Sequence, residues 1–71
     1  MATKTFQNGC DIRYEPDSRV TMNGQQGIIW TYRRLCHDGS GWVHMGKQFN
    51  PLHATRREIA ESFGHDYKPE Q

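Results

Sequence analysis

The side chains with the most reactive chemistry are Cys10, Cys36, His37, His44, His53 and His65. Thiolates and imidazoles hold zinc when four converge, usually as two pairs whose members are about two to five residues apart. Here Cys36 and His37 are adjacent, so on an extended chain they point to opposite faces. His44 and His53 straddle the junction between a strand and a helix. The pattern predicts a free thiol and dispersed polar histidines, with no metal or other cofactor. The same adjacency disqualifies Cys36 and His37 as a nucleophile and its base, which must meet within hydrogen-bonding reach. No serine elbow or phosphate loop occurs. The chain has 71 residues, which leaves little room for a substrate pocket of about 300 Å³ or more. An enzyme is not expected.

The residues suited to binding are more concentrated. Net charge is +1, but it is unevenly placed: −1 over residues 1–18, +5 over 19–57 and −3 over 58–71. The basic middle interleaves with aromatics: Trp30, Tyr32, Arg33, Arg34, Trp42, Lys47 and Phe49. Such a segment suits an anionic partner, with arginines on phosphates and rings on bases. The acidic ends and a pI near 7.9 dilute that field. Thr55 to Gly64 has the look of the first helix of a helix-turn-helix, with no recognition helix after it. A protein interface is the other reading. Interfaces favour Trp, Tyr, Met and Arg over Lys, and the chain holds six arginines against three lysines.

These residues must be positioned by short elements. Cys10 to Glu15 alternates apolar and polar residues, the period of a half-buried strand. Pro16-Asp17-Ser18 reads as a turn and Arg19 to Met22 as a second strand. Asn23-Gly24 tolerates positive φ at both residues and marks a tight hairpin. A third strand runs from about Gly27 to Cys36 and a fourth from Trp42 to Phe49. Centring their hairpin on Asp38-Gly39 pairs residues whose numbers sum to 77. Ile28/Phe49, Trp30/Lys47, Tyr32/Met45 and Arg34/Val43 then share a core face. Ile29/Gln48, Thr31/Gly46, Arg33/His44 and Leu35/Trp42 share a mixed one.

A helix follows. Thr55-x-x-Glu58 forms a capping box, Leu52, Ile59 and Phe63 make an apolar stripe, and Gly64 stops the helix. An alternative start places Asn50 as the cap and Pro51 at the first helical position. Arg56 and Arg57 oppose the macrodipole in the first turn at a cost of about 0.3–1 kcal/mol each. That cost hints that they serve a partner; the structural alternative pairs Arg57 with Glu61.

The expected fold is α+β: a small, twisted, antiparallel sheet of three to four strands, either open or curled into an SH3-like barrel, followed by one short C-terminal helix. Residues 1–64 form one compact domain and 65–71 a polar C-terminal tail. The expected core is Ile12, Tyr14, Val20, Met22, Ile28, Trp30, Tyr32, Val43, Met45, Phe49, Leu52, Ile59 and Phe63. So small a core is marginal, so the chain is expected as a monomer or a homodimer. Few cysteines, a polar N-terminus and no long apolar run point to a cytoplasmic protein away from membranes.

The expected function is that of a small non-enzymatic regulatory or inhibitory protein. It docks its mixed cationic and aromatic sheet face onto a larger protein or nucleoprotein. The expected contact residues are Arg33, Leu35, Trp42, His44 and Gln48, flanked by Arg56 and Arg57. Nucleic-acid binding through the central basic segment is the alternative. A competing structural role for Trp42 is burial beneath the N-terminal segment around Phe6.

Overall fold

The computed structural model describes residues 3–68. Four strands, β1 (Phe6–Asn8), β2 (Ile12–Met22), β3 (Gln25–Cys36) and β4 (Gly41–Pro51), precede one helix, α1 (Arg56–Ser62). The strands pair in chain order as an antiparallel meander. The sheet stays open and does not close into a barrel. Asn23 and Gly24 turn β2 into β3 with φ of 50° and 79°, as a tight hairpin demands. The capping box forms as the sequence indicates: Glu58 N donates to Thr55 Oγ1 at 3.2 Å, and Thr55 N donates to Glu58 Oε1 at 2.9 Å. The alternative cap is not used; Asn50 and Pro51 end β4 instead, and the Asn50 amide donates to Ser62 Oγ at 3.0 Å.

Helix α1 covers one face of the sheet. Phe6, Tyr14, Ile28, Trp30, Ala54, Ile59 and Ala60 are buried there, with Ile12, Tyr32, Leu52, Phe63 and Tyr67 packed around them. Aromatic rings dominate. Phe6 meets Trp30 edge-on at 5.7 Å and lies 4.9 Å from Tyr14, whose ring stacks on Phe63 at 5.6 Å. Tilted and edge-on pairs of this kind add attraction beyond the area they bury. Phe6 belongs to β1, an element that the polar N-terminus conceals. Its place in this cluster rules it out as a cover for Trp42.

Two bulges change what the sequence suggests. Pro16-Asp17-Ser18 is not a turn: β2 runs through it, with a register shift between Pro16 and Ser18. Strand β1 reaches only as far as the Phe6/Tyr14 pair, so beyond Tyr14 β2 is an edge. Proline is tolerated at edges and bulges because no neighbour needs its missing N–H. The second bulge lies at Met45. Leu35/Trp42, Arg34/Val43 and Arg33/His44 pair as expected, but beyond Met45 the partners become Tyr32/Gly46, Thr31/Lys47, Trp30/Gln48 and Ile29/Phe49. One extra residue sends every later side chain of β4 to the other face. Phe49 and Lys47 therefore leave the expected core face, and Gln48 joins Trp30 on the helix side. Met45, expected in the core, is 49% exposed, and Met22 at the hairpin end of β2 is 48% exposed.

Residues 65–68, expected to begin a polar tail, lie against the sheet. Buried Asn8 holds them as a strand neighbour would: its amide donates to Asp66 O at 2.9 Å, and its carbonyl accepts from Lys68 N at 2.6 Å. The same amide nitrogen donates to the Tyr14 hydroxyl at 3.2 Å, and Tyr14 lies 2.8 Å from His65 Nδ1. The rest of the expected tail, 69–71, lies outside the described residues.

This junction is sensitive to acid. His65 is held below its ordinary pKa of 6.5, first by burial and then by the Arg34 guanidinium, against an opposing pull from Asp11. Burial also raises the Tyr14 phenol above its ordinary value, opposed by the Asn8 hydrogen bond. A histidine depressed in the folded state binds its proton more readily in the unfolded chain. Its contribution to stability is therefore present above 6.5 and is lost as pH falls from there through the folded value. The urea midpoint of the wild type should drop on acidification below 6.5, and that of His65→Gln should drop less. Parallel curves for the two proteins would remove His65 from the account.

Candidate functional site

The face opposite α1 is uncovered among the described residues, and the two bulges decide what it carries. Reading across the strands, Leu35 pairs with Trp42; Arg13, Arg33 and His44 form the next row; Glu15, Thr31 and Lys47 the third; Ile29 and Phe49 the fourth. Cations stand in the middle, with apolar side chains at both ends.

Arg13 and Arg33 are direct cross-strand partners. Like charges so placed are destabilising, yet each guanidinium has a local partner. Arg33 Nε donates to Glu15 Oε1 at 2.8 Å, a pair still roughly one-third exposed on both sides. The Arg13 guanidinium reaches across β3 to lie 4.3 Å from the centre of the Trp42 ring. A cation over an indole face is worth about 0.5–2 kcal/mol, depending on desolvation. Trp42 is half-buried, with the Arg13 guanidinium covering one face of its ring.

Lys47 Nζ lies 3.7 Å from Asp17 Oδ2. Thr5, Glu15, Pro16, Asp17, Thr31, Arg33, His44 and Lys47 line an open depression of about 560 Å³ between these rows. It is larger than the chain length suggests, and Asp17, the bulged residue of β2, is part of its lining. At the far end Phe49 lies over Gly27: a methyl group on Gly27 would sit 2.5 Å from the Phe49 ring and from Asn50 O. Glycine is thus what lets this ring lie flat on the sheet beside Ile29.

The structure brings together Arg33, Leu35, Trp42 and His44 of the expected contact residues. It separates the rest. Gln48 is on the helix face opposite Trp30. Arg56 and Arg57 sit on the helix side too, with the Arg56 guanidinium 5.5 Å from the Phe6 ring and that of Arg57 5.7 Å from Tyr67. Stacking on rings, rather than a pair between Arg57 and Glu61, is what occupies them; no such ion pair occurs among the described residues. Arg13, Glu15 and Lys47 enter the site unexpectedly. The signals for them were Pro16 and Gly46, since a proline or glycine inside a strand often marks a bulge.

The thiols and imidazoles stay dispersed: among the described residues no three His, Cys, Asp or Glu side chains converge as metal ligands would. No helix of the described residues is long and apolar enough to cross a membrane. No family model, no curated protein and no solved structure matches the chain.

Proposed function

We propose that the chain is a small non-enzymatic regulatory or inhibitory module that docks its open sheet face onto a larger protein or nucleoprotein. The observation that carries this reading is the Arg13/Arg33/His44 row beside the Arg13-stacked Trp42. Packing accounts for the helix face, where the aromatics interlock. It does not account for two arginines paired directly across strands on the uncovered face: Glu15 answers Arg33, but Arg13 has only the Trp42 ring and no acidic partner among the described residues. A half-buried tryptophan held by a guanidinium has the composition of an interface anchor, with Leu35 beside it.

Glu15 and Asp17 on the same face favour a protein over a nucleic-acid backbone. Their carboxylates would repel phosphates, whereas a protein surface can present acid to the arginines and base to the carboxylates. The test is recovery of a partner by immobilised protein, comparing wild type, Trp42→Ala and Arg33→Ala, with and without nuclease. Trp42→Ala should weaken docking by about 2 kcal/mol or more, a loss of roughly thirtyfold. Recovery should survive nuclease and depend only shallowly on salt. Recovery abolished by nuclease, or a steep salt dependence from counterion release, would replace this reading with nucleic-acid binding.

A further inference from the structure

The open face ends at an open edge. Among the described residues, strand β4 is last in the sheet and pairs only with β3. Leu35 N donates to Asp11 O, so the odd-numbered residues of β3 turn their backbone groups toward β2 and the even-numbered ones toward β4. The β4 partners of those even-numbered residues are Gly41, Val43, Gly46, Gln48 and Asn50. By the alternation of an antiparallel ladder, Trp42, His44, Lys47 and Phe49 turn their N–H and C=O groups outward. These are the same residues whose side chains stand on the open face. The edge is eleven residues long and carries no proline before Pro51. Both free edges carry a bulge, at Met45 on β4 and at Asp17 on β2, but the β2 edge is also interrupted by Pro16, whose missing N–H discourages strand pairing.

Resting on the docking function above, we propose that the partner engages through an extended acidic segment that adds to the outer edge of β4 as a fifth strand. Main-chain hydrogen bonds to Trp42, His44, Lys47 and Phe49 supply affinity, and side chains on the open face supply selection. The order aromatic, imidazole, ammonium, aromatic along β4 asks for apolar, acidic, acidic, apolar on the incoming strand. A second copy of this chain meets the requirement poorly. Pairing all four outward residues with those of another β4 sets each Trp42 against a Phe49, but also each His44 against a Lys47, and the incoming strand brings no acidic side chain to either.

The probe is an acetylated, amidated heptapeptide, Tyr-Thr-Glu-Thr-Glu-Thr-Tyr, added to the full chain while amide hydrogen exchange is followed residue by residue. Saturating peptide should slow exchange at Trp42, His44, Lys47 and Phe49 at least tenfold. The same peptide methylated on both glutamate nitrogens should not, and a version with lysine for glutamate should bind at least tenfold more weakly. As a second measurement, His44→Pro removes one outward donor but no bond to β3, and should bind at least tenfold more weakly than His44→Ala. Equal binding by the methylated and unmethylated peptides would overturn strand addition while leaving face docking intact. No binding by any peptide, with a partner still recovered through Trp42, would do the same. Slowed exchange that rises with protein concentration and needs no peptide would overturn the proposal in favour of a second copy.

Discussion

Trp30→Ala is expected to leave no stable fold, while Trp42→Ala is expected to leave the fold in place and weaken the proposed docking. Trp30 is fully buried in the cluster that includes Ile59 and Ala60, edge-on to Phe6. Truncating a buried tryptophan costs about 3–5 kcal/mol through lost transfer energy and an unfilled cavity. A domain this small has on the order of 5 kcal/mol in total. Far-UV circular dichroism and a urea titration of Trp30→Ala should therefore show no cooperative transition. Trp42 is half-buried on the uncovered face and held chiefly by the Arg13 stack, so its removal should cost about 1 kcal/mol of stability. A Trp42→Ala protein that fails to fold would make that residue a core residue and undo the site.

Gly27→Ala is the second large effect, and it bears on both fold and site. The added methyl would lie 2.5 Å from Asn50 O, a backbone atom, and 2.5 Å from the Phe49 ring. The ring can swing away; the carbonyl moves only if the β3–β4 ladder parts, and Asn50 is itself buried and tied to Ser62. Overpacking of this kind costs about 1–3 kcal/mol, and more where backbone must shift. The expected result is a urea midpoint lowered accordingly, with Phe49 lifted off the open face. Unchanged stability in Gly27→Ala would show that β4 is less firmly seated than the geometry implies. Replacing the exposed turn residue Gly24, around which the open space is ample, tests the other role of glycine: there the only penalty is the φ of 79°.

The elements that sequence reasoning placed well are those whose causes are local. Asn23-Gly24 folds as a hairpin because both residues accept positive φ, and Thr55 with Glu58 caps α1 because the reciprocal bonds span one turn. The first half of β4 also follows from its turn: Arg33/His44 and Leu35/Trp42 are found as paired. What sequence reasoning missed is what depends on a residue too many, although Pro16 and Gly46 lie beside the two places. Neither Asp17 nor Met45 has a side chain that demands a bulge, yet each shifts a register by one, and through them Arg13 and Lys47 reach the open face and Gln48 leaves it. The docking of residues 65–68 was hidden for a different reason. It depends on Asn8, a polar residue nearly sixty positions away in sequence, and hydropathy patterning has no way to register a buried side-chain amide acting as a strand neighbour.

The meander has a kinetic consequence. Every strand pairs with the strand next to it in the chain, so no ladder has to wait for a distant segment, and closing each turn carries only the small entropy of a short loop. The β2–β3 hairpin, with its preset Asn23-Gly24 corner, is the natural nucleus, on a scale of about 1–10 μs for hairpin formation. β4 and β1 then zip onto its two sides. The helix and residues 65–68 are expected to dock last, because the contacts of Phe63, His65, Asp66 and Lys68 with Tyr14 and Asn8 span the longest stretch of chain. Until they do, one face of aromatic rings stands exposed, and the interval before closure is when the molecule is most prone to aggregate.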